Sequence, residues 1–513
     1  MKSMGSLAII NGFIYASFYP LQIINSLLIN DGKIEIIGNK DKILDYAKKE
    51  KIEILDLKNK YYAIPGFIDA HIHIDELGEY INGIDLRDVK SVKDLCESIK
   101  NKKDKFKNWI YGHGWDQEKF LENRWPNHYD IDNCTKNKPA IFSRIDLHSA
   151  LINEKAIKFL YSFDKEVYGI DKFPNNEPTG IIKETAFDEI RKLMRENRDI
   201  EEQKELIELA QNELISKGIT SVGFMSVDEK SLSAILELRS ENKLKIRISA
   251  FLNGNIMYKS KQIKNDDLFQ IKGIKLFSDG SLGSRTAYLS YPYEDDPENK
   301  GFIAMEKDQL LENCLKAKEL NLKTATHVIG DAALDNVLDV YEKCGERNRI
   351  EHASLVREDQ FMKLSKINPI IVVQPHFIIS DFWVIKRLGI NRAKWVYPFK
   401  SLINHGLDIA FSTDAPVEPI DPFLSIDAAV NRGSNQNIEL SKYTMHESLN
   451  LQEAYASYTQ KSATAIYRQD LGSIELGKKG DIVILSKDPL NSYLNNVVMT
   501  IIDGNILYKN NFE

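Results

Sequence analysis

Between residues 7 and 60 the chain is written in short β-branched runs, LAIINGFIY, QIINSLLI, KIEIIG and KIEILDL, broken by small polar residues. Asn30-Asp31-Gly32 separates two isoleucine-rich runs. Residues of those types tolerate the positive φ that a tight turn demands, so the pattern predicts a β-hairpin there. The C-terminal stretch repeats the style, with GSIELGKKGDIVILSKDP, then NVVMTIIDGNILYK and its Asp503-Gly504-Asn505 turn. Two β-rich ends predict one small β-sandwich domain assembled from both termini, residues 1–62 and 465–513.

Between these ends, apolar strand-like runs alternate with charged amphipathic segments. The runs are IPGFIDAHIH (64–73), TSVGF (220–224), RISAFL (247–252), IKLFS (274–278), TATHVIG (324–330), IEHASL (350–355), PIIVVQPHF (369–377) and DIAFSTD (408–414). Helix patterns lie between several of them, at 201–218, 307–321 and 332–344. Eight such strands with intervening helices predict an α/β fold of the parallel (β/α)₈ TIM-barrel type over residues 63–464. The stretch from about 78 to 200 breaks this rhythm and carries strand patterns of its own, NWIYGHGW (108–115) and AIFSRIDLH (140–148). It reads as a large insertion after the first barrel strand. Trp109, Trp115 and Trp125 make it aromatic for its size, which favours a substrate with an apolar or aromatic part.

Composition narrows the class. Of 513 residues, 75 are acidic and 68 basic, a formal charge of −7, so no basic surface for nucleic acid is indicated. A hydrophobic share of 43% supports a sizeable core and excludes a predominantly disordered chain. No apolar run reaches the roughly 18 residues of a membrane span, and Asn11 and Gly12 interrupt the N-terminal stretch, which reads as a strand and not a signal peptide. Cys96, Cys134, Cys314 and Cys344 lie far apart and form no CxxC pair, so neither disulfides nor a thiolate zinc site is expected, and a reducing cytoplasm fits. The expected partner is a small-molecule substrate, with no nucleic acid and no membrane; a homodimer is the assembly left open.

The sharpest local chemistry is PGFIDAHIH, which ends in His71 and His73. Residues i and i+2 of a strand face the same way, so both imidazoles converge on one point, as two metal bonds require. Lys275, His327, His352 and Asp414 lie at or near the ends of later strands. A single strand histidine is more often a satisfied structural group, and a single lysine a snorkelling one. Strand ends of a barrel, however, meet at one mouth, and it is the joint pattern that points to a site. Beyond Lys275, the loop DGSLGSRTA places Arg285 either on a substrate carboxylate or on Asp279. His376 lies near the end of the seventh strand, where it can face the mouth, whereas His128, His148, His405 and His446 match no ligand position. No phosphate-binding glycine loop is present.

These residues resemble the amidohydrolase superfamily of metal-dependent hydrolases, and most closely amidohydrolase family 3, the branch that includes N-substituted formamide deformylase. The motifs are PGFIDAHIH, GHGWDQ (112–117), EPTGIIKE (177–184), KLFSDGSLGSRTA (275–287), THVIGD (326–331), IEHAS (350–354) and STDAP (412–416), spread over essentially the whole chain. The resemblance implies one or two divalent ions, most naturally zinc. His71 and His73 would hold one, His327 and His352 a second or the substrate, and Lys275 would bridge them as an N-carboxylated lysine. An unmodified Lys275 beside a single ion, and Glu184 as a rival bridging carboxylate, are the alternatives. Asp414 would accept a proton from a metal-activated hydroxide's parent water and return it to the leaving amine, with His352 helping to polarise the carbonyl. His113, Trp115 and Asp116 would line the pocket, core packing being the alternative for the tryptophan. The implied reaction is hydrolysis of a non-peptide C–N bond in an amide, formamide or cyclic amide. The alternatives are a deaminase or an ester or lactone hydrolase of the same superfamily, and a non-catalytic binding barrel.

Overall fold

The computed structural model describes residues 5–135, 138–145, 149–161 and 168–510. It divides into two compact units, Met1–Ile74 with Gln211–Glu513, and Asp75–Ala210. In the first unit, eight parallel strands form one sheet: β1 Phe67–Ile72, β2 Ile219–Val227, β3 Arg247–Asn253, β4 Phe269–Phe277, β5 Lys323–Val328, β6 Arg349–His352, β7 Ile370–Val373 and β8 Ile409–Phe411. All eight were anticipated. Their near-continuous burial is what a parallel sheet covered on both faces demands. The ladder runs β1 to β8 in order, and the seam between β8 and β1 closes beyond the strand ends, where Asp414 N donates to His71 O at 2.9 Å and His73 N to Ala415 O at 3.0 Å. This seam brings the first and last strands, with their polar residues, to one mouth.

The predicted helices appear as Ile200–Ser216, Lys307–Glu319 and Asp331–Cys344. Strands from both chain ends build two further sheets. The six-stranded one pairs Asn505–Lys509, Val497–Ile502 and Ile482–Leu485 with Tyr62–Pro65, Phe13–Phe18 and Leu21–Ile24; the four-stranded one holds Lys33–Ile37, Leu27–Asn30, Leu7–Ile10 and Glu53–Asp56. One core, including Ile9, Ile29, Leu55, Ile482 and Ile501, joins them as a sandwich. Both predicted turns form, with Asp31 at φ 46°, Gly32 at 74°, Asp503 at 50° and Gly504 at 73°. The sequence pattern had suggested only strands before residue 60, yet Lys40–Glu50 is a helix, capped by Asn39, whose side chain accepts from Lys42 N at 3.0 Å. Arg247 of β3, fully buried, binds Asp481, just before the strand Ile482–Leu485 (2.7 and 2.9 Å), and Asp503 of the C-terminal turn (2.5 Å).

The second unit follows β1 in the chain and carries its own sheet, ordered Ile170–Lys172, Pro178–Lys183, Ser149–Ile152, Ala140–Arg144, Ile110–Trp115 and Ile84–Asp85. It also has its own apolar core. His148, at the end of a predicted strand, lies outside the described residues.

The cysteine expectation is corrected. Cys96 on Val92–Lys102 and Cys134 on His128–Thr135 form a disulfide with Cα atoms 5.6 Å apart, and Cys314 and Cys344 form another at 6.5 Å. Helix packing brings together thiols separated by 38 and 30 residues, which spacing alone does not reveal. The cysteines therefore give no argument for a reducing compartment. Among the described residues no helix is long and apolar enough to cross a membrane.

Candidate metal centre

The mouth of the barrel gathers six of the expected side chains. His71 comes from β1 and His73 from the residue beyond it, Lys275 from β4, His327 from β5, His352 from the end of β6, and Asp414 from the turn after β8. Asp414 Oδ1 lies 3.2 Å from His71 Nε2 and 3.2 Å from His73 Nε2. Donor atoms of these three residues all fall within 4.8 Å of one another. Lys275 Nζ stands 3.3 Å from His71 Nε2. The ring of His352 is 5.1 Å from that of His71 and 4.5 Å from that of His327.

Two backbone departures shape this cluster. Asp414 has φ 56°, and His352, at the end of β6, has φ 76°. In a regular pleat Glu351 and His352 would face opposite ways. The positive φ breaks the pleat, so Glu351 reaches His71 Nδ1 at 2.6 Å while the His352 ring also approaches His71. Residues held in such regions persist only where the surroundings enforce them, and they concentrate at functional sites.

Hydrogen bonds set the protonation of the rings. Ser412 Oγ donates to Val373 O at 3.1 Å and Gln374 Nε2 donates to Ser412 Oγ at 2.8 Å, so Gln374 Oε1 must accept from His352 Nδ1, at 2.8 Å. That leaves a lone pair on His352 Nε2. His327 Nε2 donates to Gly280 O at 2.9 Å, leaving its lone pair on Nδ1. Burial pushes both imidazoles down, His327 to about 4 and His352 well below the usual histidine range, so both are neutral at pH 7.

Burial also drives the Lys275 amine down to about 8. A neutral amine is thereby accessible near physiological pH. For Asp414, burial alone would raise the carboxyl, but His71 and His73 hold it well below the usual carboxylate range. Behind the site, Asp69 accepts from His71 N (3.2 Å), Thr413 N (3.2 Å) and Thr413 Oγ1 (2.5 Å), tying β1 to the segment that carries Asp414. Burial raises the Asp69 carboxyl to about 7.

Other expected residues have different engagements. Arg285, expected on a substrate carboxylate or on Asp279, pairs with Asp295 at 3.0 and 2.9 Å. Asp279 accepts the N–H groups of Gly330 (2.7 Å), Tyr288 (3.0 Å) and Ile329 (3.1 Å), fastening its loop to the end of β5. His376 Nδ1 is bonded to Glu418, a buried carboxylate not foreseen. In the second unit His113 stacks on Tyr80 with centroids 3.8 Å apart and bonds Tyr80 O at 3.1 Å. Trp115 is fully buried with Nε1 on Phe142 O at 2.7 Å, and Asp116 caps Glu118 N at 3.1 Å. Glu184 sits at the N-cap of Thr185–Glu196 with φ 45°. Trp109 is buried as well, whereas Trp125 is 42% exposed.

Sequence reasoning missed Arg349, Glu351, Asp69, Thr413 and Gln374. For two of them the signal was present: Arg349 and Glu351 place opposite charges two residues apart on a strand that should be wholly apolar.

Residues 53–508 match the family model described as the amidohydrolase family. The chain belongs to the amidohydrolase family. Similar proteins of this kind include YtcJ of Bacillus subtilis, which carries the name amidohydrolase and is 29% identical across 97% of this chain and 98% of its own. N-substituted formamide deformylase of Arthrobacter pascens is 22% identical over 99% of each chain. Among solved structures, a metal-dependent hydrolase from Pyrococcus horikoshii is 40% identical, with a TM-score of 0.89 over 95% of this chain and 99% of its own. Family membership makes the chain a hydrolase.

Proposed function

We propose that this hydrolase is metal-dependent and cleaves a non-peptide C–N bond in an amide, formamide or cyclic amide. The observation that carries the reading is the convergence of His71, His73 and Asp414 donor atoms within 4.8 Å, beside a buried lysine. Two imidazole nitrogens and a carboxylate oxygen are a donor set that suits zinc or a similar divalent ion. His327 and His352, neutral and each with one unprotonated nitrogen, suit a second ion. The similarity to a formamide deformylase supports the amide side of the reading.

When bound, such an ion lowers the pKa of a water from about 15.7 toward about 7 and polarises a carbonyl. Lys275 would join the ligands after its neutral amine adds CO₂: a new N–C bond forms as one C=O π bond of CO₂ opens onto oxygen, one proton leaves the nitrogen, and the neutral amine becomes a carbamate anion. Asp414, ionised and aimed at the His71–His73 side of the mouth, takes a proton from the attacking water and delivers it to the departing nitrogen. His352, whose only ring proton is held by Gln374, serves as a ligand and not as a proton donor to the oxyanion. The closed seam between β1 and β8 keeps Asp414 fixed against His71 and His73, so little reorganisation is needed during proton transfer.

The test is hydrolysis of a panel of N-substituted formamides, anilides, cyclic amides, amidines, esters and lactones by chelator-stripped and zinc-reconstituted protein. Zinc-dependent release of amine from the amide members supports the reading. Ammonia release from amidines alone, or acid release from esters and lactones alone, would replace it.

A further inference from the structure

Behind the donor atoms runs a buried chain of side chains that the mechanism above does not use. Arg349 and Glu351, both with no exposed surface, alternate along β6. Arg349 grips Glu351 with its planar fork, Nε to Oε1 and Nη2 to Oε2 at 2.8 Å each. It also donates to the carbonyls of Ala70 (2.8 Å) and Ala465 (2.9 Å) and lies 4.4 Å over the Phe251 ring. Four hydrogen bonds and the ring hold this guanidinium, and through it Glu351, in place. Glu351 Oε2 stands 2.6 Å from His71 Nδ1. A carboxylate clamped by arginine only accepts, so the contact requires a proton on Nδ1 and leaves Nε2 as the nitrogen that faces Asp414 and Lys275.

An arginine–glutamate pair of this depth could be a packing feature and no more, since buried ion pairs add little net stability. Two observations argue otherwise. The pair ends on a ring of the donor set, and the partner there differs in charge from those of two other rings of the mouth. His352 faces an amide oxygen and His327 a backbone carbonyl, whereas His71 faces a carboxylate. A carboxylate behind an imidazole raises its basicity as a ligand and fixes its orientation.

We propose that Glu351, clamped by Arg349, is a positioning residue that locks His71 as the Nδ1–H tautomer and aims Nε2 at the ion, so that ion retention depends on it. This rests on the reading of His71 as a ligand. Because Arg349 also binds Ala70 O, the residue preceding His71, the same clamp fixes both the ring and the backbone that carries it.

The probe is Zn²⁺, titrated into stripped protein against a chromophoric chelator. Glu351→Gln keeps the volume and an acceptor oxygen but loses the charge, and its dissociation constant is expected to rise about 10- to 100-fold. Tyr341→Phe is the control: it removes a 2.6 Å hydrogen bond to Arg349 O, away from His71, and is expected to lower thermal stability with zinc affinity unchanged. Should Glu351→Gln fail to fold, the wild-type protein carries the test. In ¹⁵N-histidine-labelled, zinc-loaded protein, His71 is expected to show a proton on Nδ1 and none on Nε2. Unchanged zinc affinity in Glu351→Gln, or a His71 bound through Nδ1, overturns the positioning role alone. Absence of zinc binding by the wild-type protein overturns the metal-dependent reading and this role with it.

Discussion

Replacing Asp414 by asparagine tests the proposed proton transfer apart from the other contacts of the residue. Its backbone sits at φ 56°, a region that costs most residues about 1–2 kcal/mol but that asparagine tolerates well. Its N–H donates to His71 O at 2.9 Å, and that bond at the barrel seam survives the change. The amide oxygen of asparagine can take the position of Oδ1, 3.2 Å from each of the two histidine nitrogens, so the proposed donor set is largely kept. What disappears is the basic carboxylate. General acid–base catalysis contributes about 10²- to 10⁴-fold, or roughly 2.7–5.4 kcal/mol of barrier. Asp414→Asn is therefore expected to lower kcat at least about a hundredfold with metal content near that of the wild type. Alanine would mix backbone strain with lost chemistry and is the poorer choice. The assay is amine release from the best substrate of the amide panel, with elemental analysis of the same sample. Near-normal turnover at full metal content would remove Asp414 from proton transfer.

Lys275→Gln, which cannot form a carbamate, is expected to lose metal and turnover together; retention of both would take Lys275 out of the ligand set. Arg285 and Arg387 hold the Asp295 carboxyl down to about 2, against an unfolded value near ~3.9. The pair therefore stabilises above pH ~4, and its contribution is lost as pH falls toward about 2. Melting curves of Asp295→Asn should lie below those of the wild type at pH 7 and converge with them as the pH falls through that window; a gap that persists in acid would contradict the ion-pair account. Denatured but unreduced protein should take up no iodoacetamide, and should take it up at Cys96, Cys134, Cys314 and Cys344 after reduction. Labelling before reduction would contradict the pairing.

The barrel was legible because its eight strands are apolar runs of β-branched residues separated by amphipathic segments, and because parallel strands announce themselves by burial on both faces. The two hairpin turns were legible from Asp31-Gly32 and Asp503-Gly504. The helix Lys40–Glu50 was not, since it interrupts a strand-rich region. Six side chains of the centre were read from their positions at strand ends. Arg349 and Glu351 are not at positions that ligand spacing marks, although a charged pair on a core strand is itself anomalous. Asp295 and Glu418, partners of Arg285 and His376, lie 10 and 42 residues away from them, and only tertiary packing reveals such pairs. The disulfides escaped for the same reason.

The most direct test of the central claim is divalent metal per chain by elemental analysis, paired with intact mass under gentle conditions. About one to two ions per chain are expected, with an added mass of one CO₂ that is lost in acid. No metal after reconstitution with zinc, and no added mass, would contradict it and favour a barrel that binds without catalysis.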